Sequence, residues 1–166
     1  GAILIAAAKA GTPPDQLHRA FPRKREIPFD SERKRMVTVH ELAGAREEDL
    51  SPFTDNDVQY HAVVVKGAPD VVLQLCSHYQ TASDSPAPLD EEHRRQILAA
   101  NDAMTRDALR VLGMAYKVVT EEPENLDPSQ MESDLTFVGL VGMIDPARPE
   151  VQPALEKAAR AGIRTI

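Results

Sequence analysis

Apolar and polar positions along the chain fall into two periods. Ile3, Ala6, Ala7 and Ala10 recur at helical spacing, and Gly11 stands where the residue closing a helix is expected. Thr12-Pro13-Pro14 breaks the pattern, Asp15 to Ala20 is long enough for a short helical turn, and Phe21 to Pro28 reads as irregular. From Arg33 to Glu41 the period becomes two, with Met36, Val37 and Val39 among charges, which predicts a strand with one wet face. A polar stretch from Gly44 to Asp57 precedes a second strand, Val58 to Val65, so the two are expected to pair as an antiparallel hairpin with a long loop. Val72, Leu75, Cys76 and Tyr79 lie at i, i+3, i+4 and i+7, one helix face, and Pro69 suits the first helical position.

Thr81 to Pro88 is a Ser/Pro/Asp loop. Asp90 is placed to cap a helix with Glu91 and Glu92 in its first turn and a buried face of Ile97, Ala100, Met104 and Ala108. Val111 to Val119 and Thr136 to Ile144 read as strands around an acidic, Pro-bearing loop from Glu121 to Ser129. Asp145-Pro146-Ala147-Arg148-Pro149 cannot continue a strand. Val151, Leu155, Ala158 and Ala159 mark a last helix ending at Gly162. Both ends read as interrupted elements, so a piece of a larger protein is expected. The expected class is α+β, a mainly antiparallel twisted sheet flanked by helices, with a boundary near Asp145.

Composition narrows the function. The 166 residues carry a net charge of −7, which argues against a general nucleic-acid binder. Arg19 to Met36 runs against this balance, with seven Lys/Arg and three Asp/Glu, a local net of +4. The single cysteine, Cys76, allows no internal disulfide and sits better in a core than as a nucleophile. No apolar run approaches the ~18 residues that span a bilayer. The five histidines lack metal-ligand spacing. Asp55-Asn56-Asp57 hints at a calcium loop, but the required glutamate position falls on Lys66. Neither a Walker A sequence nor G-x-G-x-x-G is present.

Two clusters could carry binding chemistry. In Lys66-Gly67-Ala68-Pro69-Asp70 a cation stands at the end of a strand and Gly67 permits a tight turn or a close approach. Alone, such a stretch is more often a surface lysine beside an ordinary strand-to-helix turn. In Phe29-Asp30-Ser31-Glu32-Arg33-Lys34-Arg35-Met36 an aromatic ring, a hydroxyl and three cations gather where a loop becomes a strand. Alternation places Lys34 and Met36 on one face, Arg33 and Arg35 on the other. A ring can stack on a base for roughly 1–3 kcal/mol, and a lysine offers phosphate a point charge. On composition alone, a solvated charged strand with Phe29 as a core plug is the more ordinary reading.

Taken in order, F-D-S-E-R-K-R-M, K-G-A-P-D, Ala108-Leu109-Arg110-Val111-Leu112 and G-L-V-G-M-I-D-P-A-R-P-E resemble the nucleotide-binding (N) domain of P-type cation-transporting ATPases, in particular the type II branch with its bacterial calcium-pump-like proteins. The resemblance covers nearly the whole chain. It implies that Phe29 stacks on adenine, that Lys34 and Lys66 line the pocket with Gly67 and Ser31 beside them, and that Met36 and Leu112 supply its apolar walls. It implies that Arg110 reaches towards the phosphates. Residues 1–144 would be the N domain, and 145–166 a hinge at Asp145, Pro146 and Arg148 with the start of a returning phosphorylation (P) domain segment. The implied role is to bind ATP and present its γ-phosphate to an aspartate outside this chain, on the cytoplasmic side of a membrane pump. The implied partners are the phosphorylation and actuator domains of the same parent.

No nucleic-acid partner, no membrane insertion by this segment and no catalytic or metal-binding residue within it are expected. Mg²⁺ would belong to the intact parent. The phosphorylated-aspartate motif D-K-T-G-T and the motif T-G-D-G are not in the sequence, so the chain alone should bind but not hydrolyse ATP. Asp70 replaces the usual Glu of K-G-A-P-E, Ser31 stands where some members carry Arg, and D-P-A-R replaces D-P-P-R. The first two changes leave open a module of the same fold that has lost nucleotide affinity and serves a regulatory, protein-binding role.

Overall fold

A row of four small or aromatic side chains defines the centre of the molecule. Val37 pairs with Val65, Val65 with Ala115, and Ala115 with Phe137, and all four are buried. The computed structural model describes residues 2–42, 61–83, 85–120, 128–144 and 148–164. The described strands are β1 (Arg23–Asp30), β2 (Arg35–Glu41), β3 (His61–Gly67), β4 (Cys76–Gln80), β5 (Pro86–Pro88), β6 (Arg110–Val119) and β7 (Leu135–Met143). They form one seven-stranded sheet in the order β1-β2-β3-β6-β7-β4-β5. Every neighbouring pair is antiparallel except β4 with β7. The described helices are α1 (Ala2–Lys9), α2 (Pro14–Ala20), α3 (Pro69–Gln74), α4 (Glu91–Arg106), α5 (Pro128–Met131) and α6 (Val151–Arg160). This is the α+β, mainly antiparallel architecture expected from the sequence.

The β-branched alternation of β2 and β3 buries one face of the sheet, and α3 lies on it. An ideal Cβ at Gly113 would stand 3.1 Å from the Pro69 Cα and 3.5 Å from the Val72 Cβ. Val72, Leu73, Cys76, Leu89, Met131 and Leu135 complete the core. α4 covers the same face further along, with Leu109 and Met104 against Gly142. The Asp90 carboxylate caps α4, accepting from the His93 amide at 2.8 Å. That amide, then the His93 side chain, holds the Asp90 carboxyl below the usual carboxylate range.

Several elements depart from the pattern reading. The helix expected through Tyr79 stops at Gln74, and Cys76 to Gln80 becomes β4, parallel to β7. Arg94 on α4 donates to the Leu73 and Cys76 carbonyls at 2.8 and 2.6 Å, ending the helix with a cation. Leu135 N–H donates to the Leu75 carbonyl at 3.1 Å, which starts the new pairing. A short apolar run fits either period, and the free edge of β7 decides between them. Cys76 is buried, as expected, but at the head of a strand; burial pushes its thiol up to about 12.

Phe21 to Pro28, expected to be irregular, contains most of β1. It is an edge strand, where prolines are tolerated, and its register shifts twice against β2. The expected 81–88 loop contains β5. On α4, Ile97 and Met104 are half-buried, but Ala100 is exposed and Ala108 lies past the helix end with φ +59°. The 121–129 stretch, expected to be a loop, includes the start of α5. The long hairpin loop and the Asp55-Asn56-Asp57 turn lie outside the described residues. Gly11 closes α1 with φ +90°, as its position predicted.

Candidate nucleotide site

The two clusters singled out in the sequence meet at one end of the sheet. Asp30 folds the chain into a turn: its carboxylate accepts from the amides of Glu32 and Arg33 at 2.9 and 2.8 Å. Its carbonyl accepts from the Lys34 amide at 2.7 Å. Lys34 ends this turn with φ +55°, a left-handed conformation that a side chain disfavours. The Lys34 carbonyl in turn accepts from the Ala68 amide at 3.0 Å, tying the turn to K-G-A-P. This contact explains Gly67. A Cβ there would stand 2.4 Å from the Lys34 oxygen and 2.6 Å from the Arg35 Cβ.

On the face of the sheet opposite α3, Met36 lies beside Lys66, and Lys66 beside Met114. All three are half-buried. At roughly 4.8 Å between strands, the row is about 10 Å wide. Phe29 stands next to it across the turn. There β1 places three residue steps, Ile27 to Asp30, against two of β2, Val37 to Arg35. Such a bulge re-aims a side chain, and Phe29 is 62% exposed, not the core plug of the ordinary reading. Leu112 and Arg110 follow Met114 on the same face of β6 by alternation. Arg110 lies four residues from Met114, about 13 Å of strand, and pairs with Met143 on β7.

The structure thus brings Phe29, Lys34, Met36, Lys66, Gly67 and Leu112 to one end of the sheet. It sets Arg110 apart along β6 and leaves Ser31 exposed in the turn. Among the described residues no carboxylate pairs with Lys34, Lys66 or Arg110. Arg23, Lys24, Arg33, Arg35, Arg94, Arg95 and Arg160 all have acidic partners. Lys9, Arg19, Arg106 and Lys157 likewise have no carboxylate partner among the described residues; what sets Lys66 and Arg110 apart is that both lie on the sheet face opposite α3, where a cation can draw an anion.

Arg33 and Arg35 point the other way, as alternation predicted, and both bind Glu132. Sequence reasoning missed this residue, because only the docking of α5 brings it to β2. Met114 was also missed, although it shares the face of Leu112 two residues on. Asp145 and Pro146 lie outside the described residues, and Arg148 is exposed. Among the described residues no group of three or more His, Cys, Asp or Glu is placed to hold a metal ion. Among them, too, no helix is long and apolar enough to cross a membrane.

The fold is thus a mainly antiparallel sheet with α3 and α4 on one face and the Met36–Lys66–Met114 row on the other. Residues 1–150 match the family described as P-type ATPase, cytoplasmic domain N, and the chain belongs to that family. It is 38% identical over 165 residues to calcium-transporting ATPase 1 of Bacillus cereus, covering 99% of this chain and 17% of that protein. It is 35% identical over 166 residues to calcium-transporting ATPase 1 of Lactococcus lactis, with coverage of 99% and 17%. With the sodium/potassium exporting P-type ATPase cta3 of Schizosaccharomyces pombe it shares 38% identity over 142 residues, 84% of this chain and 12% of that one. The chain therefore spans about a sixth of the length of the bacterial relatives.

Proposed function

We propose that this chain is the ATP-binding domain of a cation-transporting ATPase, with adenine between Phe29 and the Met36–Lys66–Met114 row and the phosphates running along β6 towards Arg110. The observation that carries this reading is the register that sets Met36 beside Lys66, with Lys34 bonded to the K-G-A-P turn. Stacking and apolar contact hold the base, Lys66 and Lys34 supply charge close to it, and Arg110 draws the phosphate tail outwards. In the parent the γ-phosphate passes to an aspartate outside this chain, with Mg²⁺ at that centre. The phosphorylation and actuator domains of the parent are its partners, and residues 145–166 lead back to the former.

One stacked base and three cations give weak binding, roughly 0.1–1 mM or about −4 to −5.5 kcal/mol. Mg²⁺ changes this little, because the ring contributes most. Titration of the chain with ATP, read by amide chemical shifts, should move resonances around Phe29, Lys66 and Leu112. Phe29→Ala and Lys66→Ala should each remove most of the response. If both substitutions leave ATP binding at the wild-type level, the site is elsewhere; no shift at all favours the regulatory module instead.

A further inference from the structure

The buried Glu132 carboxylate lies on the side of the sheet opposite the Met36–Lys66–Met114 row, bound to Arg33 and Arg35. Its side chain is 4% exposed. One oxygen accepts from Arg33 Nη2. The other accepts from Arg35 Nε at 2.8 Å and from Arg35 Nη2. Arg35 Nη1 also donates to the Arg33 carbonyl at 3.0 Å, closing a ring around the backbone that carries Lys34. Burial, with the charge of Arg33 second, pulls the Arg35 pKa down.

Glu132 is itself held. It follows α5, whose Met131 is buried in the core. Lys117 on β6 donates to the Ser133 carbonyl at 3.0 Å and to the Gln130 carbonyl, fixing the backbone on both sides of Glu132.

We propose that Glu132 is a positioning residue for the nucleotide site, clamping the 30–34 turn through Arg33 and Arg35 so that Phe29 and Lys34 face the ligand. This rests on the ATP-binding reading above. The physical need is visible in the turn. Lys34 occupies a left-handed backbone conformation that costs a non-glycine residue energy. The guanidinium groups of Arg33 and Arg35, two residues apart and flanking it, repel each other unless a carboxylate lies between them. With Glu132 ionised the pair closes on one anchor. Without that charge the arginines separate, the Lys34–Ala68 bond loosens, and the ring at 29 loses its seat. Glu132 touches no ligand in this scheme and acts only through the turn.

The test is Glu132→Gln in the 166-residue chain, with ATP affinity measured by chemical-shift titration. The expected result is affinity lower by about five- to twentyfold, with core amides such as those of Ala115 and Phe137 at wild-type shifts. Coupling separates positioning from general weakening. Combined with Lys34→Ala, E132Q should cost less than it does alone, because part of its effect acts through that lysine; combined with Arg110→Ala, whose side chain is on β6, the losses should multiply. Wild-type affinity in E132Q, or multiplication with both partners, overturns the proposal.

Should E132Q fail to fold, Glu132→Asp keeps the charge and shortens the reach. An intermediate affinity supports the clamp and unchanged affinity overturns it. If the wild-type chain binds no ATP, the functional reading fails but the clamp is still measurable. Hydrogen exchange at the Lys34 and Ala68 amides should then be at least tenfold faster in E132Q, and equal rates overturn it.

Discussion

Replacing Gly67 by alanine tests the link between fold and site most directly. The added methyl would stand 2.4 Å from the Lys34 oxygen, 2.6 Å from the Arg35 Cβ and 2.8 Å from the Arg35 Cα. Ordinary contact begins at 3.4 Å, so the Lys34 carbonyl must retreat by 1.0 Å, the difference between those distances. Two of the three obstructing atoms are backbone, and the third is attached directly to it; none can swing aside as a side-chain tip would. Overpacking of this kind costs about 1–3 kcal/mol. A retreat of that size also breaks the 3.0 Å Ala68–Lys34 hydrogen bond, a further 0.5–1.5 kcal/mol or so.

The expected loss is therefore about 2–4 kcal/mol, within the roughly 5–15 kcal/mol of a typical domain, so the variant should remain folded. For this chain length it corresponds to a melting midpoint lower by about 4–16 °C. Circular dichroism against temperature measures the loss, and an ATP titration on the same sample measures the site. Both should fall, because the displaced atom belongs to the turn that carries Lys34. A midpoint within about 1 °C of wild type would refute the close approach, and with it the docking of the two motifs.

Four further outcomes are expected. Arg94→Ala leaves the Leu73 and Cys76 carbonyls without their donor, which should cost about 2–4 kcal/mol in urea unfolding, whereas Arg94→Lys, with a single ammonium, should recover part of it. Phe29→Ala should leave the melting temperature almost unchanged, since the ring is mostly exposed, while removing ATP response. Asp90 has a folded pKa below its unfolded value, so its contribution is present above about pH 4 and is lost as pH falls through the folded value. Asp90→Asn should accordingly flatten the acid limb of a melting-temperature profile against pH. Cys76 has the opposite sign: its thiol is raised to about 12 in the folded chain, so the stabilisation holds below about pH 9 and is lost as pH rises through that window. A thiol reagent at pH 8 should label it only as fast as the chain unfolds.

The legible parts of the fold were those where one period ran unopposed. Alternation in 35–41 and 61–65, the cap at Asp90 and the apolar run of β7 each gave the right element. What stayed hidden depended on neighbours far along the chain. Cys76 to Gln80 carries a helical spacing, and only the edge of β7 and the reach of Arg94 make it a strand. Phe21 to Pro28 has two prolines, which suit an edge strand as well as a coil, and local composition does not distinguish these. At the candidate site, the motifs named most of the residues that the structure gathers at one end of the sheet. They were silent about Glu132, because a carboxylate 99 residues from Arg33 leaves no local trace of the pair.

The groups assigned to the nucleotide are spread from Phe29 to Leu112 and meet only once β2, β3 and β6 are in register. An unfolded chain has no partial version of this surface, so on the proposed reading ATP would recognise the completed sheet alone. Even a feeble ligand then acts as a gauge of folding: at ten times its dissociation constant it adds about 1.4 kcal/mol to the native state. If the proposal holds, that weakly bound nucleotide is also the simplest reporter that the sheet has assembled correctly.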